Sequence, residues 1–294
     1  MFNLSYKTQK YFILFGFLTL PLALMAAFSL YPAAALFYFS LTDWDGVGFD
    51  QKFIGLANYR DIFSNSEVFR AFRANAYYFI GGLVQTAVAI YFAVLLNGKL
   101  RGRYVFRVLL FLPYVLHSVA TAIMFKNLYH AEYGSLNVVL EAIGLASWQQ
   151  AWLGNPDIVN FSLAFISMWK YFGLSMVIFI GALQSIPEDL YEAAGIDGAS
   201  GWQSFRFITL PSIRRVIELM LILTLTGSLE AFDIPYIIML GANGTSTFVI
   251  ETVDMAFKYQ NFGKASAMAV LLLFIVMVLI FVQRKFIFKG EDGP

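Results

Sequence analysis

The sequence predicts an all-α membrane protein, a bundle of spanning helices, and three observations carry that prediction. Only 13% of the 294 residues are charged, about half the share of a soluble domain. The apolar residues, 59% of the chain, gather into runs that reach the roughly 20 residues a helix needs to cross a bilayer. Those runs are far longer than the roughly 10-residue alternating strands of a membrane barrel.

Six windows qualify as spans: about 11–41, 71–97, 105–127, 158–185, 214–240 and 264–288. The first follows Lys7 and Lys10 and far exceeds the roughly 7–15-residue apolar core of a signal peptide. It is therefore expected to be a retained span, although the "PAAAL" at Pro32–Leu36 imitates a cleavage site. Proline and glycine occur in several windows and are tolerated in membrane helices; Pro113 and His117 mark an expected kink in the third. Between spans, small helices are expected at Asn58–Phe63 and Leu136–Ile143.

Six spans place both ends on one side, and basic residues choose which. With the N-terminus inside, twelve lysines and arginines fall on the inner side, among them Lys7, Lys10, Lys99, Arg284, Lys285 and Lys289. Seven fall outside, and Lys170 is left within a span. The expected organisation is a cytoplasmic N-terminus at 1–10, a six-span domain at 11–288 with a cytoplasmic loop at 185–211, and a cytoplasmic tail at 289–294.

Several function classes are disfavoured. A net charge of +1 offers no electrostatic footprint for nucleic acid. Without cysteine there is no disulfide, thiolate zinc site or thiol catalysis, and two isolated histidines, His117 and His130, are too few for a His-based metal site. A phosphate-binding G-x-x-x-x-G-K-[ST] loop is missing: the nearest fragment, Phe262-Gly263-Lys264-Ala265, lacks the hydroxyl and the upstream glycine. No catalytic residues are expected in this chain.

The loop "SIPEDLYEAAGIDGASGWQSFRFITLP", Ser185 to Pro211, is patterned beyond the needs of a connection. Ser185-x-x-Glu188 and Ser200-x-x-Gln203 are both capping-box patterns. They predict a short helix from about Ile186 to Ala194, ending at Gly195, and a second toward Ile208, with Leu210-Pro211 leading into the fifth span. Ala193, Ala194, Gly195, Gly198 and Ala199 leave room for close approach. A helix lying on lipid would favour lysine and arginine, whereas this one starts with Glu188, Asp189 and Glu192, so a protein-docking surface is the better expectation.

Polar groups within spans mark a pathway or an internal pair. Span four holds Ser167, Trp169, Lys170 and Tyr171; span five holds Thr224, Thr226, Ser228, Glu230 and Asp233. An ion pair from Lys170 to Glu230 or Asp233 is the expected arrangement. A Lys170 facing the pathway instead would suit an acidic ligand.

The spacing Glu192-Ala193-Ala194, three residues, Gly198, nine residues, Ile208-x-Leu210-Pro211 is the EAA signature. On it, and on "YPAAALFYFSLTDWDG", "GLANYRDIF", "WLGNP" and "FDIPYIIML", the chain resembles the permease subunits of binding-protein-dependent ABC importers. The likeness runs over nearly the whole chain and is to their carbohydrate-uptake (MalF/UgpA-type) branch. Where many relatives carry a Thr-Gly-Gly-Gly-Pro turn after span five, this chain reads Leu240-Gly241-Ala242-Asn243-Gly244-Thr245.

The resemblance implies a subunit that moves a sugar or oligosaccharide inward by alternating access. It implies a second permease subunit, an ATPase dimer that binds ATP and magnesium, and an extracytoplasmic solute-binding protein, in a bacterial or archaeal cytoplasmic membrane. The EAA helix would be the ATPase-coupling element, through Glu188, Tyr191, Glu192, Ala193, Ala194, Gly195, Asp197 and Gly198. By position relative to that motif, Ser167, Lys170, Tyr171, Leu174, Thr224, Gly227, Ser228 and Ala231 would lie at or near the sugar path, with Trp169 and Glu230 beside them. The competing expectation is an ion-coupled secondary transporter using Lys170, Glu230 and Asp233.

Overall fold

The computed structural model describes residues 5–48, 50–98 and 100–287. Lys99, Lys289, the expected tail at 289–294 and residues 1–4 of the expected N-terminal segment lie outside the described residues. In chain order the helices are α1 (Tyr6–Phe39), α2 (Ala57–Ser64), α3 (Ser66–Asn97), α4 (Arg103–Val115), α5 (Ser118–Leu128), α6 (Ser135–Ala142), α7 (Val159–Gln184), α8 (Glu188–Ile196), α9 (Gly201–Ser204), α10 (Arg214–Leu229), α11 (Asp233–Met239), α12 (Phe248–Phe257) and α13 (Phe262–Val282). The chain packs as two compact units, residues 1–65 with 252–274, and residues 66–251 with 275–294.

In the first unit, α1 is a helix of 34 residues whose apolar window is exposed along its length, with a π-helical turn at Ala26–Leu30. The chain after it returns through an antiparallel bridge between Thr42 and Phe53. Buried Asn58, on α2, donates to Ser40 O (2.9 Å) and Thr42 O (2.8 Å) and holds that return in place. Gly263 N donates to Trp44 O at 2.9 Å. The approach requires glycine, because any Cβ there would strike the Thr42 carbonyl. Lys264 pairs with Asp61.

The second unit is built on α3 and α7. Small residues let helices approach where lipid supplies no hydrophobic drive. Gly81 sits against Met168 Sδ, and Gly173 meets the α4 backbone at Leu110 and Phe111, where a Cβ has no room. Two buried clusters result, one around Tyr78, Phe125, Leu163 and Ile234, the other around Ala93, Met176, Phe179 and Ile213.

Among the described residues, four helices are long and apolar enough to cross a membrane: α1, α3, α7 and Phe262–Lys285, with α4 and α5 as one further candidate bent by 99°. Two of the six expected windows are therefore not continuous helices. The window 105–127 breaks at Leu116 and His117, both in extended conformation, and His117 Nδ1 caps α5 by accepting from Val119 N at 3.3 Å. The window 214–240 breaks at Glu230–Phe232. Pro235 explains the second break, since it has no N–H for the Ala231 carbonyl four residues back and its ring would clash there. Ala231 O instead accepts from Thr247 Oγ1 at 2.6 Å.

Two further carbonyls orphaned by that break are met by one side chain. Asn75, only 3% exposed, donates from Nδ2 to Ser228 O (2.7 Å) and Leu229 O (3.2 Å). Its Oδ1 accepts from Phe248 N, at the start of α12, at 3.1 Å. A polar residue on an apolar span thereby fixes the end of α10 and the start of α12 together.

Candidate functional site

α3, α7, α10 and the break after α10 enclose a cavity of about 400 Å³. Ser167, Tyr171, Leu174, Thr224, Gly227, Ser228, Glu230 and Ala231 line it. α3 adds Tyr78, Gly82 and Gln85, α7 adds Met168 and Ser175, and Asp233 completes the mouth of the break. Gln85 Nε2 donates to Ser175 Oγ at 2.9 Å, and the Thr86 and Thr224 hydroxyls lie 3.5 Å apart. Gly82 is required beside Thr224, whose Cγ2 would sit 2.5 Å from a Cβ. The wall thus carries hydroxyls, an amide and two carboxylates among aromatic and aliphatic groups.

Trp169 and Lys170 do not line the cavity. Trp169 packs edge-on against Phe125, ring centroids 5.1 Å apart, within the first buried cluster. Lys170, 5% exposed, donates to Leu116 O at 2.8 Å and to Ser118 Oγ at 2.9 Å. The expected ion pair to Glu230 or Asp233 is not formed. The break between α4 and α5 leaves the Leu116 carbonyl without a helical partner, and a buried ammonium is satisfied by backbone carbonyls as well as by acids. Lys170→Met is expected to leave that carbonyl unpaired and to cost about 1–3 kcal/mol of stability, without changing the preference between neutral and acidic sugars. Thermal unfolding of the purified subunit and a paired uptake assay check the two halves of that expectation.

The second candidate region is the loop after α7. The first capping box does not form. Ser185 adopts helical angles as the C-cap of α7 (φ −83°, ψ −8°), and its Oγ donates to Ala182 O at 2.7 Å. A capping serine needs extended backbone, and the end of the long helix takes precedence. Pro187 is the N-cap of α8, which runs from Glu188 to Ile196 rather than 186–194. The second box is complete: Ser200 Oγ accepts from Gln203 N (3.3 Å) and Gln203 Oε1 from Ser200 N (2.6 Å). Helical backbone then continues through a π-turn at Phe205–Thr209 to Ser212.

Between the two helices Gly198 takes φ +75°, the left-handed region that glycine enters without cost. Gly195, Gly198 and Gly201 have open space where a Cβ would be. Glu188, Glu192, Ala193, Gly195, Asp197 and Gly198 are exposed and Ala194 is half-buried. Tyr191 is half-buried too, and its hydroxyl meets Thr209 Oγ1 at 2.9 Å, tying α8 to the following turn. Ile196 is 89% exposed, with Trp202 and Phe207 also largely free. A rigid, capped element therefore presents small, acidic and large apolar groups together.

Residues 85–289 match the family of binding-protein-dependent transport system inner membrane components. Among curated relatives, the probable ABC transporter permease protein YurN of Bacillus subtilis is 34% identical over 87% of this chain and 89% of its own. The trehalose/maltose transport system permease protein MalF of Thermococcus litoralis is 31% identical over 96% of this chain and 95% of its own. Among solved structures, a chain of a bacterial alginate ABC transporter, crystallised with an alginate pentasaccharide-bound periplasmic protein, superposes with a TM-score of 0.82 at 20% identity, over 95% of each chain. Whole-length kinship in sequence and fold agrees with the geometry above, and the chain belongs to the binding-protein-dependent transport system inner membrane components, as a permease subunit of an ABC transporter.

Proposed function

We propose that this permease subunit carries a sugar or oligosaccharide inward by alternating access, driven by a separate ATPase. The observation that carries the proposal is the pairing of an exposed, prefolded EAA loop with a cavity walled by hydroxyls, an amide and aromatic rings. Ring faces pack on sugar C–H groups while polar side chains hold the hydroxyls, as ligand cavities with few placed polar groups do. The similarity to a trehalose/maltose permease supports the carbohydrate reading. The likeness to the alginate transporter is one of fold.

In this reading the chain crosses the membrane six times, α4 with α5 forming one bent span and α10 with α11 one broken span, and both termini are cytoplasmic. Glu188, Tyr191, Glu192, Ala193, Ala194, Gly195, Asp197 and Gly198 dock in the ATPase, with Glu192 as the charged anchor. A carboxylate meeting lysine or arginine there would form a charge-assisted hydrogen bond. Ser167, Tyr171, Leu174, Thr224, Gly227, Ser228, Glu230 and Ala231 form the substrate path. ATP and magnesium belong to two ATPase copies, a second permease faces this one, and a solute-binding protein delivers substrate from outside. Ion coupling through Lys170, Glu230 and Asp233 gains no support from a Lys170 engaged by Leu116 O and Ser118 Oγ.

Affinity purification of the tagged subunit, followed by reconstitution, tests the proposal. A stable complex with an ATPase and ATP-dependent sugar uptake is expected. Uptake by this chain alone without ATP would overturn it.

A further inference from the structure

The run Gly98-Lys99-Leu100-Arg101-Gly102-Arg103, which joins α3 to α4, and Arg107, one turn into α4, gather positive charge that no acid of this chain offsets. No aspartate or glutamate occurs between Glu67 and Glu132. Among the described residues, Arg101, Arg103 and Arg107 form no ion pair. Arg103 Nη1 donates to Gly98 O at 2.9 Å and Arg107 Nη2 to Leu96 O at 2.7 Å, so both guanidiniums are held at the end of α3. They meet the negative end of that helix there, but a carbonyl carries no net charge to cancel theirs. Arg107 is half-buried, and its Nε is shielded from water without a hydrogen-bond partner. A charge partly stripped of water and lacking a counter-ion is costly.

The two arginines are also held together. Arg103 Cζ lies 5.1 Å and Arg107 Cζ 5.7 Å from the centroid of the same Tyr104 ring, and Arg103 Nη2 donates to the Tyr104 hydroxyl at 3.3 Å. Like charges gathered at one ring repel unless an anion joins them. Each guanidinium has five N–H donors, and these bonds use only two on Arg103 and one on Arg107. Exposed Arg101 adds a third cation on the same loop. Beside them α4 turns an apolar stripe outward, with Val105, Val108, Leu109 and Leu112 exposed. Cations at the end of a membrane helix, followed by apolar surface along it, fit a ligand with a phosphate head and a hydrocarbon chain. A soluble anion would leave the stripe uncovered. The ATPase proposed to receive the acidic α8 would bring cations, and this cluster needs the opposite charge.

We infer that Arg101, Arg103 and Arg107, with Tyr104, form a site for the phosphate of an anionic phospholipid whose chain lies along the exposed apolar stripe of α4. The site is separate from the cavity and from α8. Its placement in the cytoplasmic leaflet rests on the six-span reading; the lipid chemistry does not.

The test places the complete permease–ATPase complex in phosphatidylcholine nanodiscs doped with a trace of phosphatidylglycerol or phosphatidylcholine that carries a photoreactive group in its acyl chain. Crosslinks to α4 are read by peptide mass spectrometry. Phosphatidylglycerol is expected to label α4 at least about tenfold more than phosphatidylcholine, since each basic residue near an anionic lipid contributes about fivefold. Arg103→Gln with Arg107→Gln should bring the two lipids within about threefold, and Arg103→Lys with Arg107→Lys should restore most of the preference. Arg101→Gln with Arg103→Gln leaves Arg107 on Leu96 O and should still lower labelling at least about threefold, so the result stands even if the first pair misfolds. Equal labelling by the two lipids, or labelling unchanged in both glutamine pairs, would overturn the inference. Competition by excess inorganic phosphate would overturn it in favour of a free anion, and loss of the ATPase with labelling unchanged in favour of a protein contact. Leu100→Cys, in a chain without cysteine, should react with a membrane-impermeant maleimide only after cells are opened. Reaction from outside would overturn the cytoplasmic placement together with the six-span reading, and would leave the lipid preference as measured. The importer reading itself fails on other data, the lack of ATP-driven uptake.

Discussion

Glu192→Lys is expected to insert, fold and accumulate like the parent chain while losing ATP-driven uptake. Glu192 is exposed on α8 and makes no hydrogen bond or ion pair within the chain among the described residues, so the substitution costs the subunit itself next to nothing. Its effect falls on the docked ATPase. There the reversed charge would face the cation that the carboxylate is proposed to meet, and loss of one partner of a desolvated pair costs about 2–5 kcal/mol. Co-purification of the ATPase should weaken by at least about tenfold. Gly198→Asp should give the same phenotype by another route, as it adds a side chain and a charge at φ +75° where the surroundings are open. Insertion and thermal unfolding are measured on the subunit, uptake in vesicles. Full ATP-dependent uptake by either variant would remove α8 from the coupling role.

What could be read from the sequence divides along the reach of the signals. Apolar runs reported α1, α3, α7 and α13 because length and hydropathy alone define a spanning helix. Local chemistry reported the second capping box, which is fixed by two residues three apart. The first box failed although its letters were present: Ser185 was claimed by the end of α7, and a serine in helical conformation cannot cap the next helix. Lys170 was assigned an acid because opposite charge is visible in a sequence. The carbonyl it uses was not, for Leu116 O becomes free only where α4 and α5 part. The contribution of α3 to the cavity was hidden for a similar reason. Tyr78, Gly82 and Gln85 reach the wall only through the close packing of α3 on α7, which Gly81 permits, although a glutamine and an asparagine in an oily run were signals open to use.

Asn75→Leu is expected to be the most damaging single substitution in the second unit. The side chain serves three backbone groups that the interrupted helix cannot serve: the carbonyls of Ser228 and Leu229, and the N–H of Phe248. In a continuous helix the first two would be met by the amides of residues 232 and 233, but the break at Glu230–Phe232 withdraws them. Each buried backbone group left unpaired costs about 1–3 kcal/mol, and in hydrocarbon no water relieves it. A total on the order of 5 kcal/mol is comparable to the whole stability of many domains. The purified subunit should show a lower thermal midpoint and poor recovery on gel filtration. Asn75→Asp should fall between, because it keeps the acceptor for Phe248 N and loses both donations. Thr247→Val, which frees Ala231 O and removes the acceptor that Ile250 N reaches at 3.4 Å, should cost about 1–3 kcal/mol for each group left unpaired. An Asn75→Leu subunit as stable as the parent would show that the break is held by other contacts. Because Thr224, Gly227 and Ser228 lie on the last turns before that break and Glu230 lies in it, the residual folded Asn75→Leu subunit should also bind its sugar more weakly, with the wall of the cavity no longer anchored to α3.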